Sequence, residues 1–193
     1  MVGDVLSDGI GEGAWMIGFL LAQRLAELAL GRHNTARLRA EGAVEFGAGH
    51  YPVMVALHAA WWLTLAWLGH DRALDPGWLA VFVVLQAVRV WVIASLGRRW
   101  TTRVLVLRGA PPVVRGPYRW LRHPNYVVVV LEIAVVPLAL RLPGVALIFS
   151  AANAALLAWR IRLENRALAW AAGSGGPDAA IASTTLANGY PRR

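Results

Sequence analysis

The chain has 193 residues, of which 58% are hydrophobic, and a mean hydropathy of +0.50. Only 16% are charged, against about a quarter in a soluble domain. This composition excludes a disordered chain, a collagen and a coiled coil, and it argues against a water-soluble enzyme, because so much apolar surface has no polar shell to cover it. An all-α integral membrane bundle is the natural reading, as a single domain over residues 1–170 followed by a flexible tail over 171–193 that is rich in Gly, Ser and Ala. With no cysteine, disulfides, thiolate catalysis and Cys-ligated metals are excluded. All 19 basic residues are arginine, which together with the alanine content suggests a GC-rich bacterial genome. The net charge of +8 does not signal nucleic acid, because of where the arginines fall.

A bilayer core takes roughly 20 helical residues, and five stretches qualify as candidate spans. Residues 1–14 hold Asp4, Asp8 and Glu12 and no basic residue, the wrong sign for the start of a cleavable signal peptide. The first span, Trp15–Leu30, is interrupted by Gln23, Arg24 and Glu27, so a four-span variant with this stretch lying in the interface is also open. The second is Tyr51–Leu68. The third, Trp78–Leu96, is opened by Asp75-Pro76-Gly77. Asn125–Leu140 and Gly144–Trp159 follow, separated by the turn signal Arg141-Leu142-Pro143-Gly144, and are expected to form an antiparallel hairpin. No internal repeat is visible.

Charge sets the orientation. Arg98, Arg99, Arg103, Arg108, Arg115, Arg119 and Arg122 follow the third span with no acid among them. Arg32, Arg37 and Arg39 follow the first span, and Arg160, Arg162, Arg166, Arg192 and Arg193 follow the fifth. Five spans place all these segments on one side. The positive-inside rule makes that side cytoplasmic, with the N-terminus outside and the C-terminus inside, in a bacterial inner membrane.

The segment between the third and fourth spans is long for an unstructured connection in a compact protein, and such segments are usually functional. Val104–Leu107 and Val113-Val114 read as short extended pieces, Gly109 and Gly116-Pro117 as turns, and Pro111-Pro112 as a stiff extended step. Attachment to anionic headgroups, at about 1 kcal/mol per arginine, accounts for the charge alone. It leaves Tyr118, Trp120, His123-Pro124 and Tyr126 unexplained. Those types suit a folded pocket with aromatic faces for a purine or a cation.

Inside the spans, Arg89 and Glu132 are expected to pair, since a lone charge at mid-bilayer costs a few kcal/mol; a polar site wall is the alternative. Arg24 and Glu27 are spaced to satisfy each other. His58 and Asn153 suit interhelical hydrogen bonds. Arg160 and Glu164 share a helix face, which by spacing alone predicts a surface ion pair worth a few tenths of a kcal/mol. Arg162 and Arg166 read as headgroup contacts. The helix carrying these residues emerges beside the basic loop, so a carboxylate and a guanidinium can meet the pocket.

Gly116-Pro117-Tyr118-Arg119-Trp120-Leu121-Arg122-His123-Pro124-Asn125-Tyr126, followed by a helical hairpin and Arg160-x-x-x-Glu164, resembles the isoprenylcysteine carboxyl methyltransferase family. The resemblance covers roughly Tyr51–Leu168, and within the family it is nearest to the bacterial branch that O-methylates alkylpyrones and alkylresorcinols. It implies a membrane enzyme that takes S-adenosylmethionine in a cytosolic pocket formed by loop 97–124 and the C-terminal helix, with no metal. Ala110, Pro111, Pro112 and Val113 match the stretch whose backbone holds the cofactor. Tyr118, His123, Pro124, Asn125 and Tyr126 match its other contacts, and Arg103 falls where the family can carry a Gln contact. Arg160 and Glu164 match the pair at the reacting group. Asn165 departs from the pattern, since many members carry a second Glu there. The implied partners are a lipophilic small-molecule acceptor, either an alkylpyrone or alkylresorcinol hydroxyl or a prenylcysteine-like carboxylate, and membrane lipids.

Two other classes compete. Membrane sterol reductases share Arg-His-Pro-Asn-Tyr, but usually with Gly and an acid close behind; here Val127–Val130 follow and the first acid is Glu132. A non-enzymatic lipid-binding protein predicts tolerance of His123→Ala and Glu164→Gln. A transporter is disfavoured by the lack of repeat symmetry.

Overall fold

The computed structural model describes residues 11–173. The acidic residues Asp4 and Asp8 and the tail beyond Gly173 lie outside that range. The order is α1 (Glu12–Ala40), β1 (Val44–Phe46), α2 (His50–Gly69), α3 (Pro76–Leu96), β2 (Val104–Val106), α4 (Pro124–Ala139) and α5 (Pro143–Ala171), with short 3₁₀ turns at Gly97–Arg99 and Gly116–Arg119. α1, α2, α5 and the stretch Pro76–Arg99 are each long and apolar enough to cross a membrane, whereas α4 is a shorter apolar helix. The chain is thus mostly helical, with four candidate membrane-spanning helices. The sequence marks the first span as the weakest; by length the short one is α4. Its 16 residues span about 24 Å at 1.5 Å per residue, less than a hydrocarbon core of about 30 Å. α4 is also the most enclosed helix: Val128, Glu132, Ile133, Val135, Val136, Pro137 and Ala139 are all buried. The outer faces of the other helices are apolar and exposed, as at Leu63 (71%), Trp67 (80%), Val90 (66%) and Leu147 (74%). Apolar exposure on this scale requires a non-aqueous surrounding.

The helix ends explain the packing of the half of the molecule away from the basic loops. α1 has no side-chain cap; instead Gly13 N–H and Ala14 N–H donate to the carbonyls of Arg72 and His70, at 3.0 and 2.9 Å, in the α2–α3 turn. This satisfies donors that a helix start leaves free. The approach is close: a Cβ on Gly13 would lie 1.9 Å from the Gly69 carbonyl oxygen. Gly13→Ala is therefore expected to lower stability by about 1–3 kcal/mol, the range for overpacking a tight contact, read as an earlier thermal transition in detergent. Asp75 caps α3 by accepting from the N–H groups of Gly77 (3.0 Å) and Trp78 (3.1 Å), with Pro76 at the first helical position. The α4–α5 hairpin turns at Arg141, which takes φ +56°, and Pro143 opens α5. The core between the helices gathers Met16, Leu20, Trp61, Leu65, Phe82, Leu85, Val136 and Leu140.

Arg89 is almost fully enclosed and joins α3 to two other helices. Its Nη2 donates to Glu27 Oε2 at 2.6 Å, its Nε to Glu27 Oε1, and its Nη1 to Glu132 Oε2. Arg24 Nη1 reaches Glu27 at 2.8 Å. Gln86 donates to Glu132 (3.0 Å) and accepts from Gln23 (2.6 Å). The expected Arg89–Glu132 bridge is present. The expected self-contained Arg24–Glu27 pair is instead part of a larger network, because Glu27 faces inward at 6% exposure and one carboxylate cannot serve all the donors of a buried guanidinium. Among the described residues His58 likewise makes no hydrogen bond to a second helix: its Nδ1 lies 2.8 Å from the Met54 carbonyl one turn back.

Candidate functional site

The loop between α3 and α4 is folded against its surroundings. β2 pairs antiparallel with β1, with Val44 opposite Val106 and Phe46 opposite Val104. The ribbon packs Phe46 and Val104 on Ala167, Trp170 and Ala171 of α5. Of the two extended pieces expected, only the first is a strand; Val113-Val114 lies in irregular backbone. On the α1 side, buried Asn34 donates to the carbonyls of Trp100 (2.8 Å) and Gly97 (3.2 Å). Further along, Gly109 N–H donates to the Ala171 carbonyl at 2.9 Å, Arg99 to the Pro111 carbonyl, and Arg115 to the Ser95 carbonyl at 2.6 Å. All of these bonds end on backbone carbonyls, and through them Arg99 and Arg115 hold the loop's path.

That path delivers His123 and Tyr126 to α5, since Pro124 starts α4 and fixes where the loop ends. Their rings stack at 5.4 Å with an interplanar angle of 18°. The Tyr126 hydroxyl donates to Glu164 Oε2 and accepts from Arg160 Nε at 2.9 Å. Arg160 and Glu164 are thus not the exposed ion pair that spacing alone predicts: a phenol hydroxyl links them, and Arg160 is only 8% exposed. The rest of the guanidinium faces the Thr102 carbonyl (3.0 Å), His50 Nε2 (3.3 Å) and Met54 Sδ (2.8 Å).

His123 lies between two acceptors. Its Nδ1 is 3.5 Å from Glu164 Oε1, and its Nε2 is 3.3 Å from Asn165 Oδ1. An imidazolium donates from both nitrogens, and this arrangement suits it. The hydrogen bond to the Glu164 carboxylate raises the His123 pKa above the usual imidazole range, against the lowering effect of burial. Asn165, the departure from the family pattern, is therefore a neutral acceptor on His123.

Two further expected contacts lie close by. Tyr118 has a buried hydroxyl with no hydrogen-bond partner among the described residues; burial and, next, the Glu164 carboxylate push its pKa up. Asn125 Oδ1 accepts from Trp100 Nε1 at 3.4 Å. Ala110 and Val113 are half-buried, and Pro111 and Pro112 are exposed on the surface of the loop. Arg103 is directed elsewhere. It pairs with Glu45 at 2.6 Å and lies 4.1 Å above the Tyr51 ring, bracing the ribbon against α2. A cleft of about 650 Å³ between α1 and α3, walled by Trp15, Phe19, Phe82 and Val83, opens at the other end of these helices from Glu164.

The orphaned Tyr118 hydroxyl and the nearby Glu164 carboxylate fit a polar, cationic ligand such as a sulfonium nucleoside. The groups that sequence reasoning missed are His50, Thr102 and Asn34. The turn Gly47-Ala48-Gly49 before His50 is the only sequence signal for any of them.

These features define a membrane-embedded helical protein with a polar site at its basic end. A family model for the isoprenylcysteine carboxyl methyltransferase family matches residues 78–170. The chain is 41% identical over 158 residues to YpbQ of Bacillus subtilis (strain 168), described as uncharacterized, a match spanning 79% of this chain and 94% of that protein. No solved structure matches. The chain belongs to the isoprenylcysteine carboxyl methyltransferase family, which points to an integral membrane methyltransferase, and family members use S-adenosylmethionine.

Proposed function

We propose that the protein is an S-adenosylmethionine-dependent O-methyltransferase acting on a lipophilic acceptor, an alkylpyrone or alkylresorcinol hydroxyl ahead of a prenylcysteine-like carboxylate. In this reading α4 completes a five-span bundle, the basic end faces the cytoplasm of a bacterial cell, and the N-terminus lies outside. The observation that carries the proposal is the meeting of Tyr126, Arg160, Glu164 and His123 at the foot of an ordered loop.

S-adenosylmethionine supplies a methyl group on a positively charged sulfur. Tyr118, His123, Asn125 and Tyr126 would hold it, together with the backbone from Ala110 to Val113. Glu164 would supply negative charge to a cationic group held where Tyr126 and His123 meet. Arg160 orients the acceptor oxygen, which supports in-line geometry at near-attack distance. Bound there, the cofactor would give that methyl group to the acceptor oxygen and leave as a neutral thioether. A phenolic acceptor would pass its proton toward Glu164 as its oxygen attacks. A carboxylate acceptor arrives already ionised.

Purified protein in detergent is expected to bind S-adenosylhomocysteine by calorimetry, and His123→Ala or Tyr118→Phe should weaken that binding. Absence of binding by the wild type would overturn the enzyme reading and favour a lipid-binding protein. Labelled S-adenosylmethionine supplied with alkylpyrones, alkylresorcinols or prenylcysteines identifies the acceptor.

The His123–Glu164 pair also carries a pH prediction. A histidine whose folded pKa is raised contributes stability that is fully present below its unfolded pKa of about 6.5 and is lost as pH rises through the folded value. The stability difference between wild type and His123→Gln is expected to be largest under mildly acidic conditions and to shrink with rising pH. For a partly exposed pair its size is about 1 kcal/mol or less. Thermal melts across neutral pH measure it, and a difference that grows with pH would contradict the pairing.

A further inference from the structure

His50 is 2% exposed and opens α2, outside the stretch matched by the family model. Its backbone N–H donates to the Gly47 carbonyl at 3.0 Å, and its Nδ1 contacts the same oxygen. The turn is built for this. Gly47 has φ +63°, and a Cβ there would lie 2.5 Å from Leu163 Cδ1 and 3.1 Å from His50 Nδ1. On the far side of the ring, Arg160 Nη1 is 3.3 Å from Nε2, and Trp159 packs at 6.0 Å edge-on.

A guanidinium has only donors. His50 Nε2 must therefore present its lone pair to Arg160, which leaves the ring proton on Nδ1, facing a carbonyl that can only accept. Both contacts specify one state, the neutral Nδ1–H tautomer. The other groups on Arg160 are also uncharged acceptors: the Tyr126 hydroxyl, the Thr102 carbonyl and the Met54 sulfur. Among the described residues no carboxylate hydrogen-bonds the guanidinium directly; Glu164 is bonded to it through Tyr126. The charge of Arg160 is held in place without being cancelled by contact, as a group that meets an anionic oxygen requires.

We propose that His50 is a positioning residue for Arg160: its Nε2 lone pair fixes the direction of the guanidinium, and with it the acceptor oxygen that Arg160 orients. This rests on the role given to Arg160 above. The role separates from that of a turn residue, because the two ring nitrogens have different partners. Asn at this position can keep the bond to Gly47 and loses the one to Arg160. Gln reaches as far as Nε2, keeps an acceptor for Arg160 and loses the Gly47 bond.

With labelled S-adenosylmethionine and a long-chain alkylresorcinol, His50→Asn is expected to lower kcat about 10- to 100-fold, the scale of a lost hydrogen bond to a charged group. S-adenosylhomocysteine affinity should stay near wild type, and His50→Gln should recover most of the rate. An active Asn variant beside an inactive Gln variant would overturn the proposal and make His50 a turn residue only. A readout independent of turnover is ¹⁵N spectroscopy of histidine-labelled protein in detergent, with His50→Asn assigning the signal. A neutral ring at neutral pH with an unprotonated Nε2, whose shift moves in Arg160→Met, is expected. An Nε2–H tautomer or an imidazolium would overturn the proposal, even were no acceptor methylated. Loss of methylation in the wild type with the expected spectrum would instead remove the enzyme reading and leave the His50–Arg160 contact standing.

Discussion

Replacing Glu164 by Gln is expected to slow methylation of a phenolic acceptor by about 10²- to 10⁴-fold, the contribution typical of a positioned general base, while S-adenosylhomocysteine affinity changes little. Gln is nearly isosteric, and its carbonyl can still accept from the Tyr126 hydroxyl that bonds to Oε2. The packing of α5 against α4 therefore survives. What is lost is the capacity to take a proton and the carboxylate, 3.5 Å away, whose hydrogen bond raises the His123 pKa. The same variant separates the acceptor classes, because a carboxylate brings no proton to remove and its methylation should fall far less. Single-turnover rates with both acceptors, beside calorimetry of the cofactor product, make the comparison. Equal losses in rate and in binding for a phenol would contradict a base role.

The second large effect is on folding. Arg89→Met should destabilise the protein by about 3–5 kcal/mol, the cost of breaking a buried ion network by removing one partner. Arg89 is the only cation that touches both Glu27 and Glu132 among the described residues. Without it, two carboxylates on α1 and α4 are enclosed beside each other, and Arg24 reaches only Glu27. Thermal unfolding and chromatographic homogeneity in detergent report the loss. The triple variant Arg89→Met, Glu27→Gln, Glu132→Gln removes the uncompensated charge and should recover most of the stability. A single variant as stable as wild type would show that the network contributes little to holding the helices.

The difference between these two sites lies in what fills the gaps between charges. Around Arg89, carboxylates lie in direct contact and two glutamines complete the network, an arrangement that locks helices and leaves no charge to offer. Around Arg160, every direct hydrogen-bond partner among the described residues is neutral, and Glu164 is bonded to it through a phenol. A locked network suits a structural role, and a held but uncancelled charge suits a binding one.

The sequence by itself determined the membrane class, the helical hairpin, the ordered basic loop and the family. Those follow from local and additive properties: runs of apolar residues, Pro-Gly breaks, the excess of arginine at one end, and an unbroken motif from Gly116 to Tyr126. The Arg89–Glu132 bridge was legible for a similar reason, since a buried charge must find its opposite and few were available. Other features needed the tertiary structure. Val44–Phe46 is too short to read as a strand, and it becomes one only because β2 and Trp170 lie beside it. The length of α4 falls short of a typical span, and its enclosure by neighbouring helices is a property of packing. Spacing placed Arg160 and Glu164 on one face and predicted that they touch. Only the folded chain inserts Tyr126 between them and brings His50 from more than a hundred residues away, because hydrogen-bond partners of a buried group are chosen by which elements the core brings within about 3 Å, which no periodicity encodes.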